Sequence, residues 1–180
     1  MERLGLDRGL VHVYTGDGKG KTTAALGLCL RVMGWGGRAC VVQFIKGYPD
    51  IGERHFAGEL AERFVLKQFA EDNTPGISEQ EAKRRGKEAK AALEYAREAV
   101  GSGDFDVVVL DEVNNAMHLG LVGESEILSL LEDRPRGVEI VLTGRNAPSA
   151  IISAADYVTE MRSGRHPMDA GIVARKGIDY

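Results

Sequence analysis

The chain alternates short continuous apolar runs with longer segments whose apolar residues recur at helical spacing. Leu10-Val11-His12-Val13-Tyr14 is such a run, ends in a Gly-rich turn and reads as a buried strand. From Thr22 to Met33, Ala25, Leu26, Leu28, Cys29, Val32 and Met33 fall on one helical face, and Gly34-Trp35-Gly36-Gly37 stops that helix. Arg38 to Phe44 and Arg63 to Phe69 read as the second and third strands. Ser78-Glu79-Gln80-Glu81 fits a capping box and opens a long helix to about Val100, with Ala82, Ala89, Leu93, Ala96 and Val100 as its apolar stripe. Further strands are expected at Asp106–Leu110, Val138–Leu142 and Tyr157–Met161, with helices at Glu124–Leu131 and Ala147–Ala154. Continuous apolar strands separated by helices predict a parallel sheet covered on both faces. The stretch from Ile45 to Ile77, rich in Gly, Pro and charge, is the least regular part.

Composition narrows this picture without redirecting it. The chain has 180 residues, 43% hydrophobic and 28% charged, which suits one domain spanning 1–180. Lys and Arg number 23 against 27 Asp and Glu, a net charge of −4. A nucleic-acid binder needs a basic field, so none is expected as a partner. No apolar stretch approaches the ~20 residues that span a bilayer, so no membrane partner is expected. Cys29 and Cys40 lack metal-ligand spacing and read as reduced core residues, which with the charged start from Met1 to Gly9 points to a cytoplasmic protein. His12, His55, His118 and His166 show no ligand spacing, and Lys83, Arg84, Arg85, Lys87 and Lys90 read as a solvated helix face.

The chemistry lies in the turn after the first strand, Thr15-Gly16-Asp17-Gly18-Lys19-Gly20-Lys21-Thr22-Thr23. Glycines there let successive backbone N–H groups face one anion, and the following helix adds its N-terminal partial charge. Lys21 reaches phosphate oxygens and the Thr22 hydroxyl ligates Mg²⁺. The common motif has four residues between its first Gly and the Gly-Lys pair; Gly16 and Gly20 enclose only Asp17, Gly18 and Lys19, with Thr15 at the usual first-Gly position. The shorter loop should hold a polyphosphate differently from a kinase, and Lys19 adds a second cation to it.

Val107-Val108-Val109-Leu110-Asp111-Glu112 delivers two carboxylates to the strand end where parallel sheets bind ligands, the place of a Mg²⁺-binding acid. Glu112 either binds the metal or polarises water. Thr143-Gly144-Arg145 ends another strand at that edge, and Arg145 is either a phosphate partner or a surface residue. These pieces specify a Mg²⁺-nucleotide site and leave the reaction open.

With these blocks, Val42-Gln43-Phe44-Ile45-Lys46-Gly47, and the tail Asp169 to Tyr180, the sequence resembles the P-loop ATP:corrinoid adenosyltransferases from about Leu10 to Tyr180. The fold class expected is α/β, a RecA-like P-loop NTPase fold with a mainly parallel sheet and helices on both faces. The resemblance implies transfer of the 5′-deoxyadenosyl group of ATP to Co(I) of a reduced corrinoid, releasing tripolyphosphate. It implies Mg²⁺ as cofactor, a flavin-type reductase supplying electrons, and a homodimer. Residue by residue, Thr15, Gly16, Asp17, Gly18, Lys19, Gly20, Lys21, Thr22 and Thr23 would hold the triphosphate. Thr22 and Glu112 would bind Mg²⁺ with Asp111 supporting, and Lys21, Glu112 and Arg145 would serve catalysis. Some members carry a Gly-Phe-Thr-Trp segment whose aromatics displace the lower cobalt ligand. This chain has Gln68-Phe69-Ala70-Glu71-Asp72-Asn73-Thr74 there, and its only Trp is Trp35. Phe69 is thus either one remaining wedge or a core aromatic. Two other classes are weighed: a P-loop phosphotransferase or NTPase cutting the β–γ bond, and a nucleotide-gated DNA-binding module, which the acidic charge opposes.

Overall fold

Among the described residues, six parallel strands form one sheet: β1 (Val11–Thr15), β2 (Ala39–Gln43), β3 (Phe64–Gln68), β4 (Val107–Asp111), β5 (Glu139–Thr143) and β6 (Tyr157–Glu160). The computed structural model describes residues 4–45, 47–48, 50–60, 63–70 and 78–180. The spatial order is β3-β2-β4-β5-β1-β6, and every pairing is parallel. The strand ends Thr15, Gln43, Gln68, Asp111, Thr143 and Glu160 therefore lie along one edge, where a parallel sheet gathers its ligand groups. β2 and β4 are buried at every position, which accounts for their unbroken apolar runs.

Alternate strand residues feed two cores. Helices α1 (Lys21–Gly34) and α2 (Gly52–Leu60) cover the face carrying Ala39, Val41, Val107, Val109 and Val141. The opposite face, with Val11, Val13, Val42, Leu110 and Leu142, packs under α3 (Glu79–Gly101), α4 (Val113–His118), α5 (Glu124–Asp133) and α6 (Ser149–Ala154). Small residues Ala89, Ala92, Ala96 and Ala99 let α3 lie close to the sheet. Its capping box is present: the Ser78 Oγ accepts from the Glu81 N–H, and the Ser78 N–H donates to the Glu81 carboxylate. Ala82, expected on the apolar stripe, is exposed, because α3 reaches the core only from Ala89 onward.

The region from Ile45 to Ile77, read as irregular apart from its strand, contains α2. Its cue is weak because only Ala57 and Leu60 reach the core, and both stay half-buried. α4, likewise not foreseen, starts directly behind Glu112. Cys40 lies in one core and Cys29 in the other, and burial pushes each thiol up to about 12. His12 stacks on Tyr157 with 4.6 Å between ring centroids and lies 2.5 Å from Glu139 Oε1, a packing role. Among the described residues, no helix is long and apolar enough to cross a membrane.

Candidate active site: a phosphate loop facing two carboxylates

The loop between β1 and α1 is shaped by the chain that crosses it after β6. Gly16 has φ 92°, and a Cβ there would come 2.4 Å from the Met161 carbonyl oxygen. The Gly18 N–H donates to that same oxygen at 2.7 Å. Side chains at either position would push this crossing segment away, so the glycines serve close approach as well as ligand access. Gly20, at φ 117°, caps α1.

Lys21 turns back into the loop, 9% exposed, its Nζ donating to the carbonyls of Gly16 at 2.6 Å and Gly18 at 2.8 Å. One residue on, the Thr22 hydroxyl donates to Asp111 Oδ1 at 2.8 Å. The same oxygen receives the Thr143 hydroxyl at 2.6 Å, and Oδ2 receives Gln43 Nε2 at 3.1 Å. Asp111, Thr143 and Gln43 are fully buried. Two strand ends and the first turn of α1 thus converge on the carboxylate that closes a third strand. Gln68 Nε2 continues the network, donating to Gln43 Oε1 at 3.0 Å and to the Tyr48 carbonyl at 3.1 Å.

Glu112 follows at φ 64°, a left-handed conformation that turns the chain out of β4 into α4. Its N–H donates to Thr143 Oγ1 at 2.9 Å, and its half-buried side chain lines the cleft beside the loop. Arg145, exposed behind Gly144 at φ 128°, places its Nε 3.9 Å from Asp17 Oδ1 across the loop mouth. Its N–H donates to the Asn115 side-chain oxygen.

These groups surround a cleft of about 580 Å³. Its lining includes Asp17 to Thr23, Glu112 and Arg145, so nine of the expected residues meet there. Thr15 and Gly16 lie beneath as the end of β1 and the loop's first turn, with Thr15 Oγ1 accepting from the Ala147 N–H at 3.3 Å. Asp111 stands behind Thr22. Phe69 is placed elsewhere: it packs half-buried against Tyr95, ring centroids 5.7 Å apart, in the core under α3. Lys46 and the run Glu71–Thr74 lie outside the described residues.

The second loop cation takes an unexpected course. Lys19 bonds to the Asp179 carboxylate and reaches the Ile178 carbonyl at 3.5 Å. The segment from Gly171 to Tyr180 thus forms a wall of the cleft, contributing Ile172, Val173, Ile178 and Tyr180. On the far side, Lys176 Nζ is 3.0 Å from Asp50 Oδ2, and His55 Nε2 is 2.8 Å from Asp50 Oδ1. These two partners lower the Asp50 carboxyl, and Asp50 in turn raises Lys176. Sequence reasoning missed Gln43 and Thr143 as partners of Asp111; a polar residue closing an all-apolar strand was the available signal.

Comparison with known proteins decides the family. Residues 7–180 match the family described as ATP:corrinoid adenosyltransferase BtuR/CobO/CobP. The chain belongs to this family. A corrinoid adenosyltransferase of Pseudomonas aeruginosa is 37% identical over 174 residues, covering 97% of this chain and 85% of that one. The corrinoid adenosyltransferase CobA of Salmonella typhimurium is 36% identical, covering 97% and 87%. The corrinoid adenosyltransferase of Escherichia coli K12 is 35% identical over 176 residues, covering 97% and 87%. Among solved structures, a KaiC-like protein of Pyrococcus horikoshii OT3 superposes with TM-score 0.53 at 17% identity, covering 88% of this chain and 73% of that one. That likeness concerns the fold, which is α/β and RecA-like as expected.

Proposed function

We propose that the chain, working as one unit over 1–180, transfers the 5′-deoxyadenosyl group of ATP to Co(I) of a reduced corrinoid. The observation that carries the reading is the family match over 7–180, on a chain whose phosphate loop faces Asp111 and Glu112 across one cleft. The cobalt of the substrate supplies the electron pair that attacks the ribose C5′. A Co–C bond forms, the C5′–O bond breaks, and tripolyphosphate leaves with that bonding pair. No protein nucleophile is needed at the reacting carbon. The protein's part is to position ATP and neutralise charge growing on the leaving group.

Gly16 to Thr23 hold the triphosphate through loop N–H groups and the start of α1. Lys21, held in the loop by the Gly16 and Gly18 carbonyls, meets phosphate oxygens there, and Arg145 closes the loop mouth from the other side. Thr22, Asp111 and Glu112 offer hydroxyl and carboxylate oxygens, which suit Mg²⁺: Thr22 and Glu112 would hold it, with Asp111 fixing the Thr22 hydroxyl. Bound there, Mg²⁺ shields polyphosphate charge. Phe69, packed on Tyr95 past the end of β3, would be the aromatic on the corrinoid side. A cytoplasmic setting, a flavin-type reductase and a homodimer complete the proposal; the reduced cysteines and the need for Co(I) support the first two.

The test is stoichiometry. With Mg-ATP and a chemically reduced corrinoid, one tripolyphosphate should appear per adenosylated corrinoid, with no ADP. ADP and phosphate accumulating at a corrinoid-independent rate comparable to turnover would replace this reading with a β–γ phosphotransferase or NTPase.

A further inference from the structure

Asp179 is the keystone of the segment that walls the cleft. Its Oδ2 accepts from the Arg175 N–H at 2.9 Å and from Arg175 Nε at 3.0 Å, while its own N–H donates to the Arg175 carbonyl at 2.8 Å. The Gly177 N–H donates to the Tyr180 carbonyl at 2.8 Å, so the segment closes into a turn. The other carboxylate oxygen faces outward from this turn and holds Lys19. Lys19 stands inside the phosphate loop, between Gly18 and Gly20, and its side chain is 47% exposed on a stem free to swing. An acidic group of this chain therefore sits on a cation of the phosphate-binding loop.

We propose that Asp179 competes with polyphosphate for Lys19, so that the tail weakens retention of the tripolyphosphate product; this rests on the adenosyl transfer proposed above. One ammonium has donors for two anions, but a carboxylate and a polyphosphate brought to the same Nζ repel each other. The two ligands feel this unequally. ATP keeps its adenosine contacts whatever happens at Lys19. Tripolyphosphate has only phosphate contacts, and cleavage of the C5′–O bond leaves one more negative charge on it. The carboxylate thus acts most strongly on the species that has to leave. The tie between Lys176 and Asp50 anchors the same segment at a second point, so Asp179 can leave Lys19 while the tail stays near the cleft.

The experiment is calorimetric titration of the full chain with inorganic tripolyphosphate, which needs no turnover. Asp179→Asn keeps an oxygen for the Arg175 N–H and removes the charge. It should bind tripolyphosphate about two- to five-fold more tightly than the unaltered chain, the range an exposed ion pair supports. ATP affinity should change less. In Lys19→Ala the further change Asp179→Asn should give no gain, because the shared cation is gone. Equal or weaker tripolyphosphate binding by Asp179→Asn, or a gain that persists without Lys19, would overturn the inference and leave the adenosyl transfer standing. Failure of the unaltered chain to bind tripolyphosphate at all would remove both.

Discussion

On the sheet side of the cleft, Asp111 is fully buried and receives hydrogen bonds from the side chains of Thr22, Thr143 and Gln43, each carried by a packed element. On the tail side, Lys19–Asp179 and Lys176–Asp50 are ion pairs between side chains that water reaches. The two lysines of the phosphate loop divide along the same line. Lys21 is buried and bonded to its own loop, whereas Lys19, two residues earlier, is half exposed and bonded to a residue 160 positions away. Buried polar networks resist rearrangement because an unpaired member is costly, while exposed pairs exchange partners for little free energy. The first wall suits a site that must be ready before its ligand arrives. The second suits one that must let its ligand go.

Disabling the preorganised wall should produce the largest effect. Lys21→Ala removes the buried ammonium and should cut adenosylation by on the order of 10²–10³-fold, as loss of one positioned charge-stabilising donor does elsewhere. The thermal midpoint should barely move, since the ammonium's partners are loop carbonyls that water can reach once the side chain is gone. Near-normal kcat/KM in a folded variant would break the assignment of the phosphate loop.

An intermediate effect is expected from Glu112→Gln, which keeps the shape and removes a charge at the cleft. Activity should fall roughly 10- to 100-fold, the scale of losses at metal-supporting groups, and the Mg²⁺ concentration for half-activity should rise. Unchanged Mg²⁺ dependence would move the metal role to Asp111.

The local frame of this site was legible because its signals are local. A Gly-Lys-Thr run after an apolar strand, and an apolar run ending in Asp111-Glu112, each lie within a few residues of chain. The parallel sheet followed from the same unbroken runs. α2 was not legible, because its inward side rests on Ala57 and Leu60, both half-buried, which is too short a stripe to read. Nor was the direction of Lys19: its partner arrives from the far end of the chain, and no local pattern encodes a contact between two exposed charges. Phe69 shows the limit from the other side. Its place at a strand end was read correctly, but its contact with Tyr95 depends on how α3 crosses β3.

The smallest effect is the pH response of the tail. Asp50 is lowered by its bonds to His55 and Lys176, so its share of the tie is present above the ordinary carboxylate value and is lost as pH falls through the lowered one. Lys176 is raised by Asp50, so its share is present below the ordinary lysine value and lost as pH rises through the raised one. The tie should be at full strength between about pH 4 and about pH 10. Protection of the tail amides, relative to the intrinsic exchange rate at each pH, should fall outside that window while β2 and β4 stay protected. Lys176→Ala should flatten the dependence with little change in turnover at pH 7. Strong protection of the tail below the window would show that something other than this pair holds it.

Cys29 and Cys40 are placed on the two sides of the sheet, each sealed in its own apolar layer with its thiol pushed up to about 12. Neither can present a thiolate to a reagent until its layer opens, so the pair forms a two-channel clock for breathing of the fold. A chain that opens as a whole gives both channels one rate. A chain whose α1 layer detaches first gives up Cys29 early and keeps Cys40 silent. Reactive sulfur is thereby withheld from an enzyme whose substrate is a strongly nucleophilic, easily oxidised metal, and the phosphate loop keeps its footing on α1 only as long as the Cys29 side stays shut.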